Sequence, residues 1–334
     1  MCRSPIFALS LEIPLIKISI LMNKGSYIIS GTLVLLFVAG LVLFALNLYD
    51  APMGNFFSRN NVAADTVQVF KDIKYGNRER NTLDLYIPPI ADKGQEQGVV
   101  LFLHGGSWTS GDKSSMAEEC RTYADKGYLT ATMNYSFLGK SGEETIDFNT
   151  MLTEIATTLS TIKGYAAAQG INVSKAALSG YSAGAHLAML YGYSMVEQSP
   201  LPVLFVHSKA GPADFSTFAL DSDDAKQFME KSGLGVMSPE ELAKNEQFLA
   251  MLRAISPVTY VQEGTPTTLL SYGRQDTLVV WENVNSLMNA FAATGVEYTL
   301  VEYPNSGHGL DKDPDSVART AEAMAESLRA AFGY

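Results

Sequence analysis

The chain has 334 residues, of which 47% are hydrophobic and 18% are charged, and its formal net charge is -11. This length is enough for one large domain or two small ones. An acidic chain without a basic cluster argues against nucleic acid as a partner. The sequence contains no C-x-x-C or H-E-x-x-H motif, so we expect no metal site. Its two cysteines, Cys2 and Cys120, lie on opposite sides of a predicted membrane segment, and no disulfide is expected.

A long apolar segment lies near the N-terminus. The stretch 25–49 contains no charged residue. A helix of about twenty apolar residues spans roughly 30 Å, the hydrocarbon thickness of a bilayer. We therefore predict a transmembrane signal anchor over 26–48, which makes the membrane an expected partner. Lys17 and Lys24 precede this segment and Asp50 follows it, so the positive-inside rule puts the N-terminal segment in the cytoplasm and the body outside.

A cleaved signal peptide is the closest alternative to this anchor. The apolar region of a signal peptide normally runs about 7–15 residues before a small-residue cleavage site. The segment here is longer and Ala45-Leu-Asn47 is a poor site, but a cleaved, secreted form stays open. Residues 1–25 form the predicted cytoplasmic segment. We hypothesise that translation begins at Met22 and that residues 1–21 are a gene-model extension, which the intact mass of the native protein would test.

Apolar patterns of strands and helices alternate after a predicted linker over 49–65. Strands are predicted at 66–73, 83–88, 98–103, 128–134, 176–178, 203–206, 267–272 and 298–303. Helices are predicted at 118–126, from 146 to near 164 or 170, at 183–191, from 238, at 281–293 and from 313.

This alternation indicates an α/β domain over 66–334, with a mostly parallel sheet and helices on both faces. The first two strands are predicted to form an antiparallel pair through Gly76 and Asn77. In the last helix, four residues are predicted to face inward: Val317, Ala321, Met324 and Leu328. Active sites of such sheets lie at the carboxyl ends of the strands.

A G-x-S-x-G motif, Gly180-Tyr-Ser-Ala-Gly184, stands between a short apolar run and a helix-forming run. In this motif the serine occupies a sharp strand-to-helix turn. The turn also points the N–H groups of the helix N-terminus at any anion that forms there. The pattern alone is weak, since a chain of this length contains one by chance about one time in ten. Ser182 becomes a candidate nucleophile only with a histidine, an acid and a second oxyanion donor.

The histidine and the acid are found in loops that follow later strands. His308 lies in the glycine-containing loop Pro304-Asn-Ser-Gly-His-Gly309 and is the predicted base. His207 follows a buried strand, so it is a weaker alternative that we expect to bond backbone. Asp276 falls between serine and histidine in the order that this type of triad follows, and Asp214 is a weaker alternative acid.

The second oxyanion donor is predicted in the loop after the third strand. That loop reads His104-Gly-Gly-Ser-Trp108, and its glycines allow backbone N–H groups to face a substrate carbonyl oxygen. Gly105, Gly106 and Ala183 are the predicted donors of the oxyanion hole. His104 is expected to brace the loop.

With these residues in place, the sequence resembles the α/β-hydrolase superfamily, specifically its esterase/lipase branch with an HGGxW loop. Feruloyl-esterase-like carboxylesterases and kynurenine formamidases of this branch look similar over roughly 67–331. The resemblance is carried by His104-Gly-Gly-Ser-Trp, Ser179-Gly-Tyr-Ser-Ala-Gly-Ala-His, Ala254-Ile-Ser-Pro-Val, Gly273-Arg-Gln-Asp and Ser306-Gly-His-Gly. It implies an α/β-hydrolase fold in which Ser182 is the nucleophile, Asp276 the acid and His308 the base.

The resemblance also implies a small cap insertion at about 212–255. Four apolar residues are candidate walls of a pocket there, or the cap's own small core: Phe215, Phe218, Phe228 and Met229. Trp108 stands where the lipase branch has glycine, which favours small esters and formamides over triglycerides.

The expected function is hydrolysis of a small-molecule carboxylic ester through an acyl-enzyme, without metal or organic cofactor. An amidase, formamidase or peptidase on the same triad is one alternative. A non-catalytic hydrolase fold used as a binding module is another.

Overall fold

The computed structural model describes residues 66–89, 95–141, 144–217 and 245–334. The predicted anchor over 26–48, the linker over 49–65, most of the cap and the helix predicted from Ser238 lie outside the described residues. Within the described ranges, no helix is both long and apolar enough to cross a membrane. Cys120 is a free, buried thiol.

The described residues form ten β-strands and six α-helices. The strands are β1 (Gln68–Lys74), β2 (Thr82–Ile87), β3 (Glu96–Leu103), β4 (Leu129–Met133), β5 (Gly139–Ser141), β6 (Glu144–Ile146), β7 (Asn172–Tyr181), β8 (Val203–Lys209), β9 (Thr267–Gly273) and β10 (Tyr298–Tyr303). The helices are α1 (Ala117–Ala124), α2 (Phe148–Ala168), α3 (Ala183–Ser194), α4 (Glu246–Ile255), α5 (Glu282–Thr294) and α6 (Pro314–Phe332).

One eight-stranded sheet organises this domain. Its strand order is β1-β2-β4-β3-β7-β8-β9-β10. β1 pairs antiparallel with β2, and β2 pairs antiparallel with β4. Every later pair is parallel, so the carboxyl ends of β3, β7, β8, β9 and β10 meet at one edge. The mostly parallel sheet and the antiparallel pair at its start, both predicted from the sequence, are confirmed.

The central strand β3 shows how the two layers of helices are held. Its residues alternate between two apolar clusters because successive side chains of a strand point to opposite faces. Leu101 and Leu103 belong to the cluster that includes side chains of α2, α3 and α5. Val100 and Phe102 belong to the cluster that includes side chains of α1 and α6. Burial of each such side chain stabilises the fold by about 1.5–3 kcal/mol.

Helix α6 is rotated relative to the sequence prediction, which was wrong for its first two turns. Val317 and Ala321 face solvent, and Val317 is 50% exposed. The helix buries every fourth residue: Ser316, Thr320, Met324, Leu328 and Phe332. The hydroxyl of Ser316 donates to a carbonyl oxygen of β10, and the hydroxyl of Thr320 lies 2.8 Å from that of Tyr303. Hydroxyl groups can be buried here because groups of the sheet form hydrogen bonds with them. A prediction that buries only apolar residues therefore assigns the wrong face of this helix to the core.

Helix α3 approaches β3 closely at Gly184. A Cβ atom added at Gly184 would lie 2.1 Å from the carbonyl oxygen of Leu103 and 2.4 Å from that of His104. No side chain fits in this space. The absence of a side chain at Gly184 therefore allows the start of α3 to lie close to the loop after β3.

The substitution Gly184→Ala is expected to lower the free energy of unfolding by about 3 kcal/mol, because the added methyl group must separate α3 from β3. Gly164→Ala is the matched control, since Gly164 lies inside α2 and a Cβ atom added there would have no neighbour within 4 Å. That control should stabilise the protein by about 0.5–1 kcal/mol through helix propensity. Urea unfolding measures both values, and equal effects of the two variants would contradict the close approach.

Candidate active site

Ser182 occupies the turn between β7 and α3. Its backbone has φ 53° and ψ -120°, a conformation that a non-glycine residue rarely adopts. The N–H of Ser182 donates to the carbonyl oxygen of Lys209, at 2.8 Å, which ties the turn to the end of β8. Such strain persists only where the surrounding structure holds it. The result is a serine hydroxyl placed at the carboxyl edge of the sheet.

Three predicted side chains meet at this edge. The Nε2 atom of His308 lies 2.9 Å from the Oγ atom of Ser182, and its Nδ1 atom lies 2.8 Å from Oδ2 of Asp276. A carboxylate only accepts hydrogen bonds, so Nδ1 carries the proton and donates to Asp276. Nε2 is then the acceptor for the serine hydroxyl. The arrangement can take a proton from Ser182.

Asp276 is held in place by the backbone of its own loop. Its Oδ1 atom accepts the N–H groups of Leu278 and Val279, at 2.9 and 3.0 Å. Its carboxylate is fully shielded from solvent. Oδ1 is thereby engaged by two donors, and Oδ2 is the atom that faces His308.

The loop of His308 is anchored by Asp313 at the start of α6. The carboxylate of Asp313 accepts the hydroxyl of Ser306, at 2.6 Å, and the side-chain amide of Asn305, at 2.8 Å. The N–H of Gln275 donates to the carbonyl oxygen of Ser306, at 3.0 Å, and so joins the loops of Asp276 and His308. The two loops are therefore positioned as one unit.

The three predicted oxyanion donors lie beside Ser182. A Cβ atom added at Gly105 would be 3.4 Å from that of Ser182, so the loop backbone passes directly beside the serine. Gly106 has φ 121°, which glycine tolerates and other residues do not. In the described part of the chain, no other group accepts from the backbone N–H of Gly105, Gly106 or Ala183. These donors are available to a ligand.

His104 braces this loop. Its Nδ1 atom donates to the carbonyl oxygen of Gly105, at 2.7 Å, and its ring stacks on Tyr135 with centroids 4.3 Å apart. The guanidinium of Arg80 lies 3.4 Å from Nε2. Burial lowers the pKa of His104 to about 4. The ring is therefore neutral at pH 7.

The alternative base and the alternative acid have other partners. His207 lies within β8, with its ring nitrogens 3.1 Å from the hydroxyl of Ser271 and 3.3 Å from that of Ser179. The expectation that it bonds backbone was wrong, because β8 extends to Lys209 and places the ring among the hydroxyls of neighbouring strands. Asp214 accepts the hydroxyl of Ser286 at 2.7 Å.

Part of the predicted cap is described. Helix α4 is the last part of this segment in the sequence. The side chain of Asn245 accepts a hydrogen bond from the N–H of Phe248, at 3.0 Å, at the start of the helix. Of the four candidate wall residues, Phe215 is buried against Trp108, with ring centroids 5.8 Å apart. Three lie outside the described residues: Phe218, Phe228 and Met229.

Sequence reasoning assigned no role to two residues near Ser182, namely Tyr181 and His186. The hydroxyl of Tyr181 donates to the carbonyl oxygen of His308, at 3.1 Å. His186 is fully buried and contacts Trp108 and Ile255. Both flank Ser182 in the sequence, but nothing in the motif indicates which distant groups they meet.

Within the described ranges, no group of three or more His, Cys, Asp or Glu side chains is arranged to hold a metal ion. The chemistry that these residues offer is a hydroxyl, an imidazole and a carboxylate in series, beside backbone donors.

The mostly parallel sheet with helices on both faces is the α/β-hydrolase fold. Solved structures share this fold: Esterase B from Lactobacillus Rhamnosis superposes with a TM-score of 0.63 at 22% identity, over 78% of this chain and 85% of that one. A truncated carbohydrate esterase from gut microbiota gives 0.63 at 18% identity, over 79% and 98%. The BD-FAE family model matches residues 83–291, and the chain belongs to this family. That range contains Ser182 and Asp276, while His308 lies beyond it.

Curated relatives match parts of the chain as well. Esterase LipQ of Mycobacterium tuberculosis is 25% identical over 78% of this chain and 62% of its own length. A probable isoprenylcysteine alpha-carbonyl methylesterase of Oryza sativa subsp. japonica is 32% identical over 40% of this chain and 28% of its own. The chain thus spans less than two thirds of the length of these relatives.

Three buried neutral histidines make stability depend on pH. The pKa values of His104 and His186 are lowered to about 4, and that of His207 is lowered well below 6.5, all by burial. Their stabilising contribution is therefore present above pH 6.5 and is lost as the pH falls toward 4, because the unfolded chain binds the extra protons.

Urea unfolding between pH 7.5 and 4.5 should show a loss of up to about 1.4 kcal/mol per pH unit for each histidine. His207→Gln should reduce this slope by one such increment. A free energy of unfolding that stays constant from pH 6.5 to 4.5 would contradict the burial of neutral imidazoles.

Proposed function

We propose that this protein is a serine hydrolase that cleaves carboxylic esters through an acyl-enzyme on Ser182. One observation carries the proposal: the series Ser182–His308–Asp276, with contacts of 2.9 and 2.8 Å, beside backbone N–H groups that no other described residue uses. Membership of the BD-FAE family and similarity to proteins named as esterases support it.

In the first half of the reaction, His308 accepts the proton of Ser182 as the hydroxyl attacks the ester carbonyl carbon. Asp276 holds the imidazole with Nδ1 protonated and stabilises the imidazolium that forms. The negative charge on the carbonyl oxygen is stabilised by the N–H groups of Gly105, Gly106 and Ala183. A single donor of this kind contributes about 2.7–4 kcal/mol in the transition state.

In the second half, His308 gives its proton to the leaving alcohol, which departs and leaves the acyl group on Ser182. A water molecule then attacks the acyl-enzyme while His308 acts as base again. The carboxylic acid is released and the serine hydroxyl is restored. Apart from the ester and one water molecule, every group in this proposed cycle is a side chain or a backbone N–H of the chain.

Amide or formamide hydrolysis on the same residues is a second candidate. A kynurenine formamidase of Danio rerio is 28% identical over 38% of this chain and 40% of its own length. Both reactions use the same nucleophile, base and oxyanion donors, so the leaving group distinguishes them. Matched p-nitrophenyl acetate and p-nitroacetanilide would rank the two activities, and a higher kcat/KM for the anilide would replace the ester assignment.

We also propose that the catalytic domain lies outside the cytoplasm on an N-terminal membrane anchor. This rests on the uncharged stretch within 25–49 and the lysines before it. Protease added to intact cells should degrade the domain, and resistance in intact cells with sensitivity after lysis would contradict the orientation.

The substitution Ser182→Ala is expected to lower kcat for p-nitrophenyl acyl esters by at least about 10⁴-fold, because the acyl-enzyme cannot form. Ser194→Ala, at the far end of α3, is the matched control and should retain the wild-type kcat. A fluorophosphonate probe should label wild type and Ser194→Ala but not Ser182→Ala. Turnover that survives in Ser182→Ala would refute the nucleophile, and a wild-type protein that neither labels nor turns over would indicate a binding module.

The substitution Asp276→Asn is expected to lower kcat by about 10⁴-fold with little change in KM. The two backbone N–H donors of Leu278 and Val279 keep the amide oxygen at the Oδ1 position, so the amide nitrogen faces His308. That nitrogen donates, and Nδ1 must then accept, which leaves Nε2 protonated and unable to act as a base. Asp214→Asn is the control for the alternative acid, and a larger loss in that variant would reassign the role.

A further inference from the structure

The loop that carries Gly105 and Gly106 has an unusual backbone. Three consecutive residues have positive φ: Gly106 at 121°, Ser107 at 48° and Trp108 at 59°. For serine and tryptophan this conformation is unfavourable, because the Cβ atom crowds the following carbonyl group. Such a run is maintained only by contacts that fix both of its ends.

One end is fixed by His104, and the other by Trp108. The indole of Trp108 is 5% exposed. Its ring contacts Phe148 edge-on at 5.7 Å, and its carbonyl oxygen accepts the N–H of Leu138 at 2.8 Å. The indole N–H is a buried donor, so it needs an acceptor that is buried with it.

His186 supplies that acceptor. Its Nδ1 atom lies 3.0 Å from Nε1 of Trp108, and its Nε2 atom lies 2.7 Å from the carbonyl oxygen of Ile255. An indole N–H only donates and a carbonyl oxygen only accepts, so the ring is neutral with its proton on Nε2. The N–H of His186 donates to the carbonyl oxygen of Ser182, at 3.0 Å, in the first turn of α3.

We propose that His186 is a positioning residue of the oxyanion hole. It joins three parts whose relative positions matter for the proposed reaction: helix α3, which follows Ser182, the loop of Gly105 and Gly106, and the last residue of α4. Through Trp108 it sets where the loop N–H groups stand relative to the N–H of Ala183. The inference rests on the proposed function and adds a residue that touches neither substrate nor Ser182 Oγ.

A neutral imidazole can bind Trp108 and Ile255 at once, because it has an acceptor and a donor on opposite sides of a rigid ring. Leucine fills a similar volume with neither group. Asparagine keeps an acceptor near the Nδ1 position but does not reach Ile255. These two replacements separate the contact with Trp108 from packing alone.

The experiment compares an ester with its thionoester in wild type, Trp108→Phe, His186→Leu, His186→Asn and the double variant Trp108→Phe/His186→Leu. Sulfur in place of the carbonyl oxygen is a weak acceptor, so the thionoester gains little from the oxyanion hole. Concentrations of competent sites come from titration with a fluorophosphonate, which removes unfolded protein from the comparison.

For His186→Leu and Trp108→Phe, we expect kcat on the ester to fall about tenfold or more with KM nearly unchanged, and the ester-to-thionoester ratio to fall with it. His186→Asn should recover part of the loss. The double variant should be no worse than His186→Leu alone, because both single changes remove the same contact. If His186→Leu does not fold, Trp108→Phe tests the proposal alone, because it removes the indole N–H and retains an aromatic ring.

Unchanged ester-to-thionoester ratios in the single variants, even with a lower melting temperature, would overturn the positioning role and leave a packing role. Additive losses in the double variant would also overturn it. These outcomes require an active wild type, and they leave the proposed function intact. A wild type without ester turnover would overturn the proposed function and this inference together.

Discussion

The contact between helix α3 and the end of strand β3 is the constraint on which the site depends. Only a residue without a side chain at position 184 allows the first turn of α3 to lie against the carbonyl groups of Leu103 and His104. The strand ends there and the loop with Gly105 begins, so this contact determines how near the loop passes to Ser182. The proposed nucleophile and the proposed oxyanion donors are thus brought together by backbone packing.

Three imidazoles near this edge of the sheet differ in which ring nitrogen donates a hydrogen bond and which one accepts. In His308, Nδ1 donates to a carboxylate and Nε2 accepts from a hydroxyl. In His104, Nδ1 donates to a backbone carbonyl. In His186, Nε2 donates and Nδ1 accepts, the reverse of His308. Each proton position follows from the fixed donor or acceptor opposite it. His104 and His186 therefore act as neutral structural contacts, while His308 is the proposed base.

The sequence predicted a mostly parallel sheet and the succession of its strands and helices along the chain, because those features depend on local pattern. The candidate site residues were predicted from the serine motif and from the loops that follow the strands. A run such as that of β3 is apolar on both faces whatever lies next to it. The motif around Ser182 likewise contains its own turn chemistry. Asp276 and His308 followed from chain order once strands were assigned.

The remaining features depend on groups that are remote in sequence. Val317 has the spacing of a core residue, but the hydroxyls of Ser316 and Thr320 have partners on β10 and β9 that rotate the helix. His207 was predicted to follow a strand that in fact continues past it. No local pattern reveals that His186 accepts from an indole 78 positions earlier. The membrane anchor at 26–48 stays a prediction.

The separation of Ser182 and His308 by 126 positions bears on the synthesis of the protein. At a translation rate of about 5–20 residues per second, the serine leaves the ribosome roughly 6–25 s before its proposed base does. A serine hydroxyl without an adjacent base is a weak nucleophile. Under the proposed function, we therefore expect reactivity at Ser182 only after the loop of His308 and the following helix α6 have joined the sheet. Until then, the growing chain carries Ser182 as an alcohol without its proposed base.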